Sequence, residues 1–217
     1  MRRGSDATAR EIIDVVIDLI ETQGYDAVQV RTVARSARVS LTTLYKLFGT
    51  RDELIVKALE RWMDEYAYAA LTMPERGESA YDTLVRVART VFKPWEQHPR
   101  MLAAYHRAQT APGGRELDLH GMAIVRPIAE AALRGADPEY LRDLELVLRH
   151  VERTAIARFA DGEIPITDIL PIMAQHLPEF AVDKAPQCAS DANQQHCLGN
   201  HRQKKHVLHG VGAALHS

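Results

Sequence analysis

The chain is poor in cysteine. Of its 217 residues only Cys188 and Cys197 are cysteines, both in the C-terminal tail, so no disulfide framework holds the fold. Long hydrophobic runs are missing too: none approaches the ~18 residues of a membrane-spanning helix. The opening residues, MRRGSDATAR, lack the apolar centre of a secretory leader. The expected location is therefore the cytoplasm, with no membrane partner. Net charge is only −2, which removes global basicity as a sign of a nucleic-acid partner. No strand-like alternation bounded by turn residues occurs. Paired carboxylates, a Ser/His/Asp grouping and a phosphate-cradling glycine loop are all absent at useful spacing, and the lone APGG reads as a turn. No enzymatic activity, cofactor or metal is expected.

What is present is helical periodicity, and the chain reads as all-α. In TAREIIDVVIDLIETQG, Ile12, Ile13, Val16, Ile17 and Ile20 follow the i, i+3, i+4 rule, and Gly24 ends the helix. VRTVARSA predicts a short second helix with Val30, Val33, Ala34 and Ala37 inward. RVS is long enough only for a tight turn. LTTLYKLF predicts a third helix with Leu44 and Phe48 buried, stopped by Gly49. Thr50 then opens a fourth helix as a capping box, its hydroxyl accepting from the Glu53 amide and the Glu53 side chain reaching back to the Thr50 amide. Met73 to Ser79 (MPERGES) is the best boundary. Beyond it, helices are expected over 79–96, 99–110, 115–135, 138–161 and 166–179, with Pro127 kinking or shortening the third of these. The domains expected are 1–60, joined through helix four to about residue 72, then 79–182, then a disordered tail over 183–217.

Charge is local rather than global. Between Arg31 and Arg51 every charged residue is basic: Arg31, Arg35, Arg38, Lys46 and Arg51. Arg2, Arg3 and Arg10 add a basic N-terminal arm. A basic stripe of this kind is either a solvated face or an electrostatic footprint for phosphate. The elements around it decide for phosphate. Helix, tight turn and short helix make a helix-turn-helix, whose second helix presents side chains to a DNA major groove. With Leu44 and Phe48 inward, Ser40, Leu41, Thr42, Thr43, Tyr45 and Lys46 face outward or to the edges. Hydroxyls and ammonium groups suit phosphates and base edges, and Leu41 suits a thymine methyl. Thr50 and Arg51 stand where the free amides and dipole of the fourth helix favour an anion.

VRTVARSARVSLTTLYKLFGTRDEL resembles the TetR-type helix-turn-helix, matching its pattern at Val33, Ala34, Ala37, Val39, Ser40, Thr43, Leu44, Tyr45, Phe48 and Leu54. The signature covers about residues 10–60. The resemblance implies an N-terminal three-helix DNA-binding domain followed by a helical-bundle domain that binds a small molecule and dimerises through its last two helices. By matched position Thr43 and Tyr45 correspond to phosphate and groove-edge contacts, and Arg51 stands where a lysine usually meets the backbone. Three positions depart from the pattern. Arg38 replaces a turn glycine and would be strained in a left-handed conformation. Gln29 replaces the usual Ser or Thr cap. Thr42 replaces a glycine on the reading helix. WEQHPRMLAAYHRAQT and RHVERTAIARFADGE are similar to the actinobacterial branch that represses steroid and cholesterol catabolism genes. That similarity implies release by a steroid-derived acyl-CoA.

The implied ligand residues are Trp95, Met101, Tyr105, His106, Gln109, Met122 and Arg126; taken singly, Trp95, Met101 and Met122 also read as ordinary core. His150, Glu152 and Arg153 read as a solvated or dimer-rim face. Leu146, Val147, Ile156 and Phe159 are expected to divide between dimer interface and monomer core. The cysteines and histidines of the tail fit no zinc knuckle. The sequence thus predicts a homodimeric, ligand-responsive transcription factor, most simply a repressor on a pseudopalindromic operator and so nucleoid-associated. The competing class is a helical ligand-binding or adaptor protein that no longer uses DNA.

Overall fold

The computed structural model describes residues 2–177, with side chains from residue 5 onward; the tail expected over 183–217 lies outside the described residues. Among the described residues all regular structure is helical. The order is α1 (Arg2–Gln23), α2 (Val30–Ser36), α3 (Leu41–Phe48), α4 (Arg51–Trp62), α5 (Ala80–Gln97), α6 (Pro99–Gln109), α7 (Arg115–Ala132), α8 (Pro138–Ala160) and α9 (Ile169–Gln175). Short 3-10 turns lie at Tyr25–Ala27 and Ile166–Asp168, and α4 continues as a π-helix over Met63–Tyr68.

The predicted stripes set the packing of the first four helices. Ile12, Val16 and Ile20 of α1, Val33 of α2, Leu44 of α3 and Leu54, Ile55 and Leu59 of α4 are all fully buried together. Each such side chain contributes about 1.5–3 kcal/mol relative to exposure. Each turn is fixed by backbone chemistry. After α2, the Val39 amide donates to the Ala34 carbonyl at 2.9 Å and the Arg38 amide to that of Arg35 at 3.2 Å. This closure requires a left-handed residue, and Arg38 takes it with φ 54°. The strain expected there is present. Ser40 caps α3, accepting from the Thr43 amide at 3.0 Å. Gln29 makes no capping bond from its side chain.

Some expectations need correction. Thr50 does accept from the Glu53 amide, at 3.1 Å, but the return half of the capping box is not formed. The Thr50 amide donates to the Phe48 carbonyl instead, because Gly49, at φ 70°, folds the chain back and the Glu53 carboxylate packs beneath it. The N-terminal arm is helical from Arg2, as no proline interrupts the first turns. Helix α7 does not end at Pro127 but runs to Ala132. Pro127 removes one donor, and Ala123, one turn earlier, is exposed, so its carbonyl can turn to water.

The second half packs on the first through aromatic rings. Trp62, fully buried, lies 4.3 Å from Trp95 and 5.3 Å from Tyr66, and Trp95 lies 5.5 Å from Tyr105. One core cluster therefore runs from Ile12 to Met173 across the loop at 69–79.

Candidate functional site

Two sets of candidate residues occupy separate places. The first is the outer face of α2 and α3. Leu41 is 40% exposed and Tyr45 50%, and Thr42, Lys46, Arg31, Arg35 and Arg38 are exposed beside them. None of these four cations makes an ion pair with a described residue, so the stripe keeps its full charge. Ser40 and Thr43 are more committed: their hydroxyls bond each other at 2.8 Å while Ser40 holds the Thr43 amide. Thr50 is exposed at the start of α4 and spends its oxygen on the Glu53 amide.

Arg51 is placed differently from the free phosphate contact expected of it. Its Nε donates to the Val28 carbonyl at 2.6 Å and its Nη2 to the Tyr25 carbonyl at 2.9 Å. The guanidinium also lies 4.6 Å over the Tyr25 ring. The guanidinium of Arg107 of α6 also lies over that ring, at 4.3 Å. Arg107 in turn grips Asp26 with two hydrogen bonds, at 2.7 and 2.9 Å, which hold the Asp26 carboxyl below its usual range. Arg100, also on α6, donates to the Glu21 and Thr22 carbonyls at the end of α1. His98 meets the Glu21 carboxylate at 2.8 Å. The element carrying Arg100 and Arg107 is therefore fastened to the helix-turn-helix through the Tyr25–Ala27 turn.

The other face of α6 belongs to the second place, a cavity of about 610 Å³ between α5, α7 and α8, closed by α6, α9 and the end of the π-helix. That volume is in the usual range for small-molecule sites. Of the candidates, Tyr105, Gln109, Met122 and Arg126 line it. Trp95 and Met101 do not; they are buried in the aromatic joint and core. His106, about 100° round the helix from Tyr105, also faces away from it. The walls are mostly apolar, supplied by residues such as Leu84, Phe92 and Leu148.

The polar side of the cavity is a connected network. Asp118 accepts from Gln109 at 2.8 Å on Oδ1, and from Arg149 at 3.3 Å and Arg153 on Oδ2. Glu145 accepts from Arg126 at 3.1 Å and lies 3.8 Å from Arg149. Glu152 stands beside them with its carboxyl pushed up to about 7, first by burial and then by the Asp118 charge, against the pull of Arg149 and Arg153. Burial also raises the Tyr68 and Tyr105 hydroxyls. Tyr68 reaches the wall over Gly121, where a Cβ would stand 2.7 Å from its hydroxyl oxygen, so no larger residue fits without displacing it.

Glu152 is thus not on a solvated rim but faces the cavity, while Arg153 keeps an exposed side chain that reaches in to pair with Asp118 and His150 stays exposed. The signal was in the spacing. Leu148, Glu152 and Ala155 form one inward stripe on α8, and an acid on an apolar stripe needs a cavity or a partner. The expected division of the apolar residues on α8 also becomes visible. Ile156 is core and Phe159 packs against it, while Leu146 and Val147 stay 57% and 48% exposed. Among the described residues no His, Cys, Asp or Glu cluster could hold a metal ion, and no helix is long and apolar enough to cross a membrane.

Two family models match this chain. Residues 12–58 match the bacterial regulatory proteins of the tetR family, and residues 77–176 match the tetracyclin repressor-like C-terminal domain. The chain belongs to the TetR family. Members are DNA-binding regulators rather than enzymes. Among curated relatives, this TetR-family chain is 28% identical over 125 residues to the HTH-type transcriptional repressor KstR of Rhodococcus jostii, covering 56% of this chain and 58% of that one. It is 24% identical over 163 residues to the KstR repressor of Mycolicibacterium smegmatis, covering 74% of this chain and 80% of that one. Its relatives therefore fall in the KstR-like branch. A TetR transcriptional regulator from Rhodococcus sp. RHA1, with a solved structure, superposes with a TM-score of 0.62 at 21% identity, over 77% of this chain and 93% of the other. That likeness speaks for the shared fold.

Proposed function

We propose that this TetR-family chain is a homodimeric repressor, acting in the cytoplasm on a pseudopalindromic operator and released by a small hydrophobic effector. The head, residues 1–60, would bind DNA and residues 79–182 would bind the effector and the second subunit. The observation that carries the reading is the placement of α6: Tyr105 and Gln109 line the cavity, while Arg100 and Arg107 hold the head. A ligand that shifts α6 would shift the head's position, favouring a dimer whose two α3 helices no longer sit ~34–36 Å apart, one turn of DNA. It must bind that state better than the DNA-bound one. Leu146 and Val147 on α8 supply an apolar patch for a second copy. The finer reading, a steroid-derived acyl-CoA effector and nucleoid-associated control of lipid catabolism, rests on the resemblance to the steroid-catabolism branch.

Fluorescence anisotropy tests this with DNA from upstream of the chain's own gene, across a salt series and with nonspecific competitor. The expected result is competitor-resistant binding that weakens steeply with salt. Failure there, and again in a selection from random DNA, would overturn it and leave a ligand-binding helical protein.

A further inference from the structure

Backbone conformation singles out one residue of the helix-turn-helix. Arg38 holds φ 54°, and every other described residue with a left-handed φ, Gly24 and Gly49 in the head and four more beyond it, is a glycine. Glycine takes that conformation freely, whereas a Cβ is crowded in it. The fold gains nothing from the arginine. Its side chain is exposed and makes no hydrogen bond or ion pair with a described residue. Only its amide is used, donating to the Arg35 carbonyl at 3.2 Å, and a glycine would donate the same bond. A strained residue whose side chain has no internal partner points to a use outside the molecule.

Its surroundings say what that use is. Arg31 and Arg35 are exposed one turn apart on α2, Arg38 follows in the turn, and no acidic residue lies between Arg31 and Arg51. In a helix-turn-helix the first helix crosses the DNA backbone and the second enters the major groove by its N-terminal residues. The turn between them therefore lies where backbone gives way to groove, and α3 begins at Leu41, just beyond Arg38. A guanidinium on a long side chain at that place meets a phosphate before it meets a base.

We infer that Arg38 is a DNA contact, its guanidinium taking a backbone phosphate at the rim of the major groove, and that the turn is held strained to place a charge where glycine would leave none. The inference rests on α2 and α3 binding DNA. It gives each protomer a phosphate contact from the turn, in addition to those of the reading helix. Phosphate carries no sequence, so the contact strengthens binding to every duplex alike.

Anisotropy titrations of the full chain across a salt series test this on two labelled duplexes, one selected from random DNA by the wild-type protein and one of mixed, unselected sequence. Arg38→Gly removes strain and charge together, so its melting temperature should rise while its affinity for both duplexes falls by about fivefold. The slope of log K against log salt should drop by about 0.9 for each protomer bound. Arg38→Gln keeps the strain and loses the charge, and should show the same lowered slope. Arg38→Lys keeps both and should bind like the wild type. Arg134→Gln makes the same change in net charge in the α7–α8 turn and should leave the slope unchanged. A wild-type slope in Arg38→Gly and Arg38→Gln would overturn the inference while leaving DNA binding in place. An equal loss in Arg38→Lys or in Arg134→Gln would overturn it too, as would a loss confined to the selected duplex, the mark of a base reader. No enriched sequence, together with no binding to mixed DNA at low salt, would overturn the DNA-binding reading with it.

Discussion

The head and the cavity region use the same helical grammar and put their polar chemistry on opposite sides of it. In α1–α4 the inward faces are closed and apolar, and the charged and hydroxyl groups look out. In α5–α9 the apolar faces stop short of one another, and Asp118, Arg149 and Glu152 look in. A head that meets a rigid duplex can keep a fixed outer surface. A region that must admit a small molecule keeps part of its core unfilled, and its polar groups are costly until something occupies the space.

The comparison breaks first at the joint. Trp62→Ala should cost about 3–5 kcal/mol, because the ring stacks against both halves and leaves a cavity too deep to collapse. Urea unfolding should still show one transition for both regions; two separate transitions would make them independent. Next comes the inward acid. Glu152 titrates near 7 in the folded chain against an ordinary 4.5, so the folded state keeps its proton longer than the unfolded one. Stability should therefore fall as pH rises from 4.5 to about 7 and level off above, with the whole loss present at high pH. Glu152→Gln should remove that slope and add on the order of 2 kcal/mol near pH 8, read by thermal melts across pH.

On the head, Arg51→Ala should cost about 1–3 kcal/mol of stability, since two backbone carbonyls lose a charged donor. Lys46→Ala should leave melting unchanged and reduce the salt slope of DNA binding by ~1. Equal stability losses in the two variants would erase the distinction between a structural and a free cation. The smallest effect is at Arg38. Replacing it by glycine relieves the left-handed backbone and should raise stability by about 1 kcal/mol, seen as a higher melting temperature.

The head was legible in the sequence because its information is local. The i, i+4 pair Leu44 and Phe48, the Thr50 hydroxyl that caps α4 and the left-handed Arg38 each follow from a few neighbouring residues. The backbone partners of Arg51 were not legible because Tyr25 and Val28 lie in a turn more than twenty residues away. The cavity was legible only in part for the same reason. Tyr105 and Gln109 share one helix face and came out together; Trp95 is taken up by the ring contact with Trp62 and Met101 by the core, which no local pattern reports. Glu152 carried a readable sign, an acid on an apolar stripe, yet its meaning depended on Asp118 having been claimed by two arginines from α8.

The π-helix at Met63–Tyr68 makes residue count an address. A widened turn carries one residue more than an α-turn would, and here that surplus is what brings Tyr68 round to sit above Gly121. Deleting one residue between Met63 and Tyr68 would swing the tyrosine by ~100° and hand its place on the wall to a neighbour. Any alignment or graft through this joint must therefore preserve spacing before it preserves residue type, or it will furnish the chamber with the wrong side chain.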